Sequence, residues 1–237
     1  MPYTSVHSSE QLAGVSAIMP LVIAAIPFGV VFGALASAQG MPEWVALSLS
    51  AMVFAGASQF IALTLLANDA SWPVIVLTVG IVNLRHLLYA LSMVPLVREQ
   101  TLLQRCLMGF WLTDESFAVT YQRYQQHPRQ PIFHFYLGGG GFMYLAWVLS
   151  TVVGIYAGQW FDGLADWGLE IAMVVAFVGI VIPQLTLPSH WLCALTAAIG
   201  AILFYDLPHQ LGIVVTVIGA VAVGVITEQG RPPRTAT

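Results

Sequence analysis

Three short stretches place polar groups among apolar neighbours. "VNLRHLLY", Val82 to Tyr89, sets Arg85 and His86 inside an apolar run over 72–97. "LTDESFA", Leu112 to Ala118, sets Asp114 and Glu115 inside a run over 103–121. "FAGASQF", Phe54 to Phe60, centres Ser58 and Gln59 in a run over 46–67. An arginine can hold a carboxylate, and a carboxylate can hold an ammonium. A histidine beside a buried carboxyl can carry protons, because burial raises a carboxyl's pKa toward the working pH. On a helix, Leu84, Leu87, Leu88 and Leu91 fall within about 40–140° of Asn83, while Arg85, His86, Tyr89 and Ser92 lie on the remaining arc with Asn83 itself. One face is leucine and the opposite half is polar, so that half must face a protein interior or a wet cavity.

The elements that position these groups follow from composition. The chain has 237 residues, 58% hydrophobic and 8% charged, with seven arginines, no lysine and a net charge of −4. Its mean hydropathy is +0.83. So few charges cannot cover a soluble surface of this size. Runs near 20 residues without β alternation predict an all-α polytopic membrane protein with broken or re-entrant helices. No basic patch points to nucleic acid, and no residue spacing points to a metal or cofactor. Cys106 and Cys193 read as small buried hydrophobes. The run over 14–38 is too long for a signal-peptide core and follows no basic segment, so it reads as a retained span.

Apolar runs fall at 14–38, 46–67, 72–97, 103–121, 135–159, 168–187, 191–206 and 209–227. The expected organisation is an N-terminal segment over 1–13, one transmembrane domain over 14–227 and a flexible tail over 228–237. If 103–121 crosses, there are eight spans. If it dips in and returns, there are seven, and Arg98, Arg105, Arg123, Arg129, Arg231 and Arg234 share one side. The positive-inside rule favours the second count, with the C-terminus cytoplasmic. Pro20, Pro27 and the Gly138–Gly141 run read as helix breakers. Trp44, Trp72, Trp160, Trp167 and Trp191 lie near run ends, as an aromatic belt requires.

Each polar stretch admits two readings. Arg85 either clamps backbone carbonyls or lines a substrate or ion path. Thr113 reads as an N-cap with Asp114 and Glu115 in the first helical turn, which starts a helix inside the apolar run. One of those carboxylates could then pair with Arg85 or His86. The small residues Ala55, Gly56, Ala57 and Ser58 either let helices pack closely or form an unwound segment that binds a carboxylate. A small-solute transporter fits these features. An intramembrane enzyme would need a nucleophile with a paired base, such as Ser58 with His86, but no third orienting group is evident. A non-transporting scaffold subunit is the remaining alternative.

In order and spacing, "FAGASQF", "NLRHLLY" and "LTDESFA" resemble the AzlC family, the large subunit of two-component branched-chain amino-acid exporters. The "IPFGVVFG" stretch fits as well, and the resemblance covers about residues 14–121. It implies export of valine, leucine, isoleucine and sometimes methionine across a bacterial inner membrane by a secondary transporter. It also implies coupling to protons and a small AzlD-type membrane subunit as partner. On that basis the expected substrate-binding residues are Gly56, Ala57, Ser58, Gln59, Asn83, Arg85 and Tyr89. The expected proton-coupling residues are His86, Asp114 and Glu115. Phe54 and Phe60 are expected to hold the aliphatic side chain.

Overall fold

The computed structural model describes residues 3–128, 130, 132–160, 178, 182, 185–205, 207 and 211–229. Among the described residues every regular element is helical. They are α1 (Tyr3–Ala38), α2 (Glu43–Ser48), a π-helical turn (Leu49–Val53), α3 (Gly56–Ala67), α4 (Trp72–Val97), α5 (Leu102–Phe110), α6 (Asp114–Gln126), α7 (Phe133–Trp160), α8 (Pro188–Leu203) and α9 (Leu211–Gln229). Among the described residues three segments are long and apolar enough to cross a membrane: His7–Ala38, Trp72–Val97 and Phe133–Gln159. The apolar run over 168–187 lies mostly outside the described residues, as do Arg129, Arg231 and Arg234.

The chain divides into two compact units. The first is Met1–Leu63 with Ile81–Met173, and the second is Thr64–Gly80 with Val174–Thr237. In the second unit α8 and α9 run antiparallel. Gly212 abuts the Phe204 carbonyl, Gly200 abuts Thr216 and Gly224 abuts Cys193. Cys193 is half-buried and Cys106 exposed, so the expected burial of the thiols does not hold. In lipid an exposed thiol carries no hydrophobic penalty.

The first unit is framed by α1 and α7. Gly14 lies against Phe135, Gly29 against Ser150, and Gly33 against Thr151. The contacts advance together along both helices, so α1 and α7 are parallel. Neither Pro20 and Pro27 nor the four glycines at 138–141 interrupt these helices. The expected breaks are therefore absent there. Small residues instead let the two backbones touch, which is how apolar helices associate where lipid offers no hydrophobic drive. We call the face where α1 and α7 begin the near face and the opposite one the far face.

Two hairpins and the part of α4 from Ile81 onward pack beside this frame. From the far face α2 descends along α7: Glu43 bonds Gln159, Ser50 bonds Thr151, and the Phe54 ring meets Tyr144. At Phe54 the backbone turns left-handed, with φ 43°. The chain then climbs again, bringing Gln59 to Trp147 and Phe60 to Phe32. Gln59 donates to Ser50 Oγ at 2.8 Å across the break. In one continuous helix those residues would lie about 13.5 Å apart along the axis, beyond the reach of both side chains. The 46–67 run thus turns back at mid-depth instead of crossing in one piece.

α4 runs down to the near face, where Met93 and Leu96 pack with Phe135 and Tyr136. Leu84, Leu87, Leu88 and Leu91 are all exposed while Asn83, Arg85, His86 and Tyr89 are half-buried, as the helical projection requires, but Ser92 departs from it: it is exposed and donates to the Leu88 carbonyl of its own helix. The next hairpin starts at the near face. A capping box between Thr101 and Gln104 opens α5. α5 climbs until Trp111 reaches Gly140, Gly141 and Tyr144. α6 then descends, placing Phe117 on Tyr89 and Arg123 over Phe135. The 103–121 run is therefore re-entrant. Arg98, Arg105 and Arg123 all lie toward the near face.

Candidate functional site

The functional residues meet where the two hairpins approach α4. Thr113 is the N-cap of α6: its hydroxyl accepts from Ser116 N, and Ser116 Oγ accepts from Thr113 N. That reciprocal box starts the helix inside the apolar run and points Asp114 at α4. Arg85 Nη1 donates to Asp114 Oδ2 at 2.7 Å. The two side chains keep 27% and 23% of their surface accessible, so the pair is neither sealed nor freely solvated. Arg85 Nε and Asp114 Oδ1 are inaccessible and have no hydrogen-bond partner. The pair therefore holds a spare donor and a spare acceptor of opposite charge.

Around it, Tyr89 approaches Asp114 and stacks on Phe117 at 4.6 Å between ring centroids. His86 presents its ring toward Tyr89 at 6.1 Å. Glu115 follows Asp114 in the first turn of α6 and stays half-buried. Both carboxylates complement the positive end of the helix dipole. On the other side of α4, Ser58 Oγ donates to Asn83 Oδ1 at 2.7 Å. Thus Asn83 faces the first hairpin and Arg85 the second.

Not every expected residue joins this group. Gln59 is fully buried, donating to Ser50 and accepting from Trp147 Nε1 at 3.0 Å. Ser50 also bonds Thr151 at 2.8 Å. This network ties the first hairpin to α7. Gly56 lies under the Trp147 ring, where a Cβ would overlap the indole. Phe60 meets Phe32 edge-on at 5.7 Å, and Phe54 meets Tyr144 at 5.1 Å. Both phenylalanines are spent on packing and line no pocket at the pair. Gln59→Leu would orphan the Trp147 Nε1–H donor, at about 1–3 kcal/mol for a buried group, and would take one donor from Ser50 Oγ, which keeps its bond to Thr151. The expected result is a lower melting temperature in detergent with flux per folded molecule retained. Loss of flux from a fully folded Gln59→Leu protein would instead make Gln59 a ligand.

Sequence reasoning passed over Phe117, Tyr121 and Tyr124, which continue from Tyr89 as a ladder with centroid steps of 4.6, 5.4 and 6.5 Å. Their spacing on α6 was the available signal, since residues three and four apart share a helix face. It also passed over Ser50, Tyr144, Trp147 and Thr151, whose partners lie far away in sequence. An open, largely apolar groove of about 710 Å³ lies apart from the pair, between α1 and α7 beside Trp111.

The family described as "AzlC protein" matches residues 20–161 of this chain. The inner membrane protein YgaZ of Escherichia coli (strain K12) is 27% identical over 235 residues, covering 95% of this chain and 92% of the relative. An uncharacterized membrane protein of Helicobacter pylori (strain ATCC 700392 / 26695) is 30% identical over 181 residues, covering 74% and 78%. The branched-chain amino acid transport protein AzlC of Bacillus subtilis (strain 168) is 25% identical over 167 residues, covering 70% and 64%. No solved structure matches the chain.

Proposed function

The chain belongs to the AzlC family, whose membrane proteins are tied to branched-chain amino-acid transport, and on that premise we propose that it exports such amino acids as one subunit of a proton-coupled secondary transporter. The Arg85–Asp114 pair is the observation that carries this reading. An amino acid is itself a paired cation and anion. Its carboxylate would take Arg85, and its ammonium would take Asp114, in place of their mutual bond. Tyr89 and Phe117 would meet the aliphatic side chain, while Asn83 of α4 and Ser58 of the first hairpin would border the site. Since each methylene is worth only about 1–3 kcal/mol of discrimination in a pocket, valine, leucine, isoleucine and methionine would share it.

Proton coupling would fall to His86 with Asp114 or Glu115, because substrate and proton would then compete for one carboxylate. A small AzlD-type membrane subunit would complete the transporter. A transport role also suits Ser58 better than catalysis does, since Ser58 gives its proton to Asn83. In proteoliposomes containing the whole transporter, an imposed pH gradient is expected to drive uphill valine movement. His86→Gln and Asp114→Asn are each expected to weaken that drive. Unchanged pH-driven movement in both variants would end the coupling assignment.

A further inference from the structure

We infer that the first unit is an inverted repeat whose two hairpins are the gates of the transport path, and that Tyr144 is the positioning residue on which both close. The inference rests on the transport reading for the word gate, but the repeat stands on geometry alone. After α1 ends at Ala38, α2 begins five positions on at Glu43; after α4 ends at Val97, α5 begins five positions on at Leu102. The returning helices start eighteen and seventeen positions after those ends, and they have 12 and 13 residues. The two copies enter from opposite faces, so an axis in the membrane plane relates them.

Both hairpin tips arrive at one side chain. The Tyr144 ring lies 5.1 Å from Phe54 in the first tip, and 5.8 and 6.0 Å from Phe110 and Trp111 in the second. Its hydroxyl donates to the Ala51 carbonyl at 3.0 Å, inside the π-helical turn. Phe54 adopts a left-handed backbone that a bulky residue holds only where its surroundings enforce it. The first tip is therefore strained and is held by Tyr144. α4 carries one contact for each gate: Asn83 bonds Ser58 of the first hairpin, and Arg85 bonds Asp114 of the second. Withdrawal of the first hairpin opens the pair to the far face, and withdrawal of the second opens it to the near face.

Cysteine labelling of the whole protein in oriented membrane vesicles tests this, in a background with Cys106 and Cys193 replaced. Gln39→Cys is expected to react with an impermeant maleimide from one face, and Glu99→Cys and His127→Cys from the other. Gln39→Cys sharing a face with Glu99→Cys, or Glu99→Cys and His127→Cys reacting from opposite faces, overturns the repeat. Ala62→Cys and Thr120→Cys sit in the closed hairpins and are expected to react slowly, each from its own face. Tyr144→Phe keeps the ring and removes the bond to Ala51. It is expected to speed labelling of Ala62→Cys about fivefold, the scale of one hydrogen bond holding a closed state. Tyr144→Ala removes the ring from both tips and is expected to speed labelling at both probes. Unchanged rates at both probes in both variants overturn the role of Tyr144. A wild-type protein that moves no branched-chain amino acid, yet labels as described, defeats the transport reading and leaves the repeat intact.

Discussion

Arg85→Leu is expected to abolish branched-chain amino-acid counterflow, and restoring charge neutrality is expected not to bring it back. The single substitution has two effects that must be separated. It leaves Asp114 without the partner that lies 2.7 Å away. Removing one member of a fully buried ion pair costs about 3–5 kcal/mol, and the cost here is smaller because about a quarter of each side chain remains accessible. It also removes a substrate contact, and one hydrogen bond to a charged group is worth roughly 10- to 100-fold in binding. The double variant Arg85→Leu with Asp114→Leu separates the two. Replacing both charges by apolar groups is often neutral or stabilising, so its melting temperature in detergent is expected to return toward the parent's. Its counterflow is expected to stay at background. Recovery of flux in the double variant would make the pair a structural clamp. Arg85→Lys is the graded case: it keeps the charge but loses the planar fork, so it is expected to retain part of the flux.

What could be read in the sequence was local. Thr113, Asp114 and Glu115 follow the rules for starting a helix, and the structure starts one there. The leucine face of α4 follows from 3.6-residue periodicity, and those leucines are exposed. The uneven arginine distribution already favoured a re-entrant 103–121. Long-range decisions were not legible. The run over 46–67 has the length and composition of a span, and its reversal turns on Phe54, a residue type that local rules would not choose for a left-handed position. Gln59 finds Trp147, 88 positions away, and no spacing rule pairs them. The glycines of α7 show the converse. Propensity marks four in a row as a helix breaker, yet α1 lies so close that backbone contact decides the outcome.

That closeness makes Gly154→Ala a damaging small substitution. A methyl group at Gly154 would fall on the Val30 carbonyl oxygen. Both atoms belong to helix backbone, so no side chain can rotate away. Overpacking of this kind costs about 1–3 kcal/mol and sometimes more, and it acts along a seam that Gly14, Gly29, Gly33 and Gly158 also keep closed. Gly80→Ala is the matched control. Nothing lies within 4 Å of the added carbon, and helical alanine is favoured over glycine by about 0.5–1 kcal/mol. In detergent, Gly154→Ala is expected to lower the melting temperature and Gly80→Ala to leave it level or raise it. Equal shifts would mean that α1 and α7 are not in backbone contact. The consequence reaches the site, because α7 holds the network anchored on Trp147 and carries Tyr144 between the two hairpin tips. If α1 and α7 are the fixed frame against which the hairpins move, Gly154→Ala must lose transport together with stability. Tyr144→Phe, which leaves that frame untouched, must lose transport while stability holds.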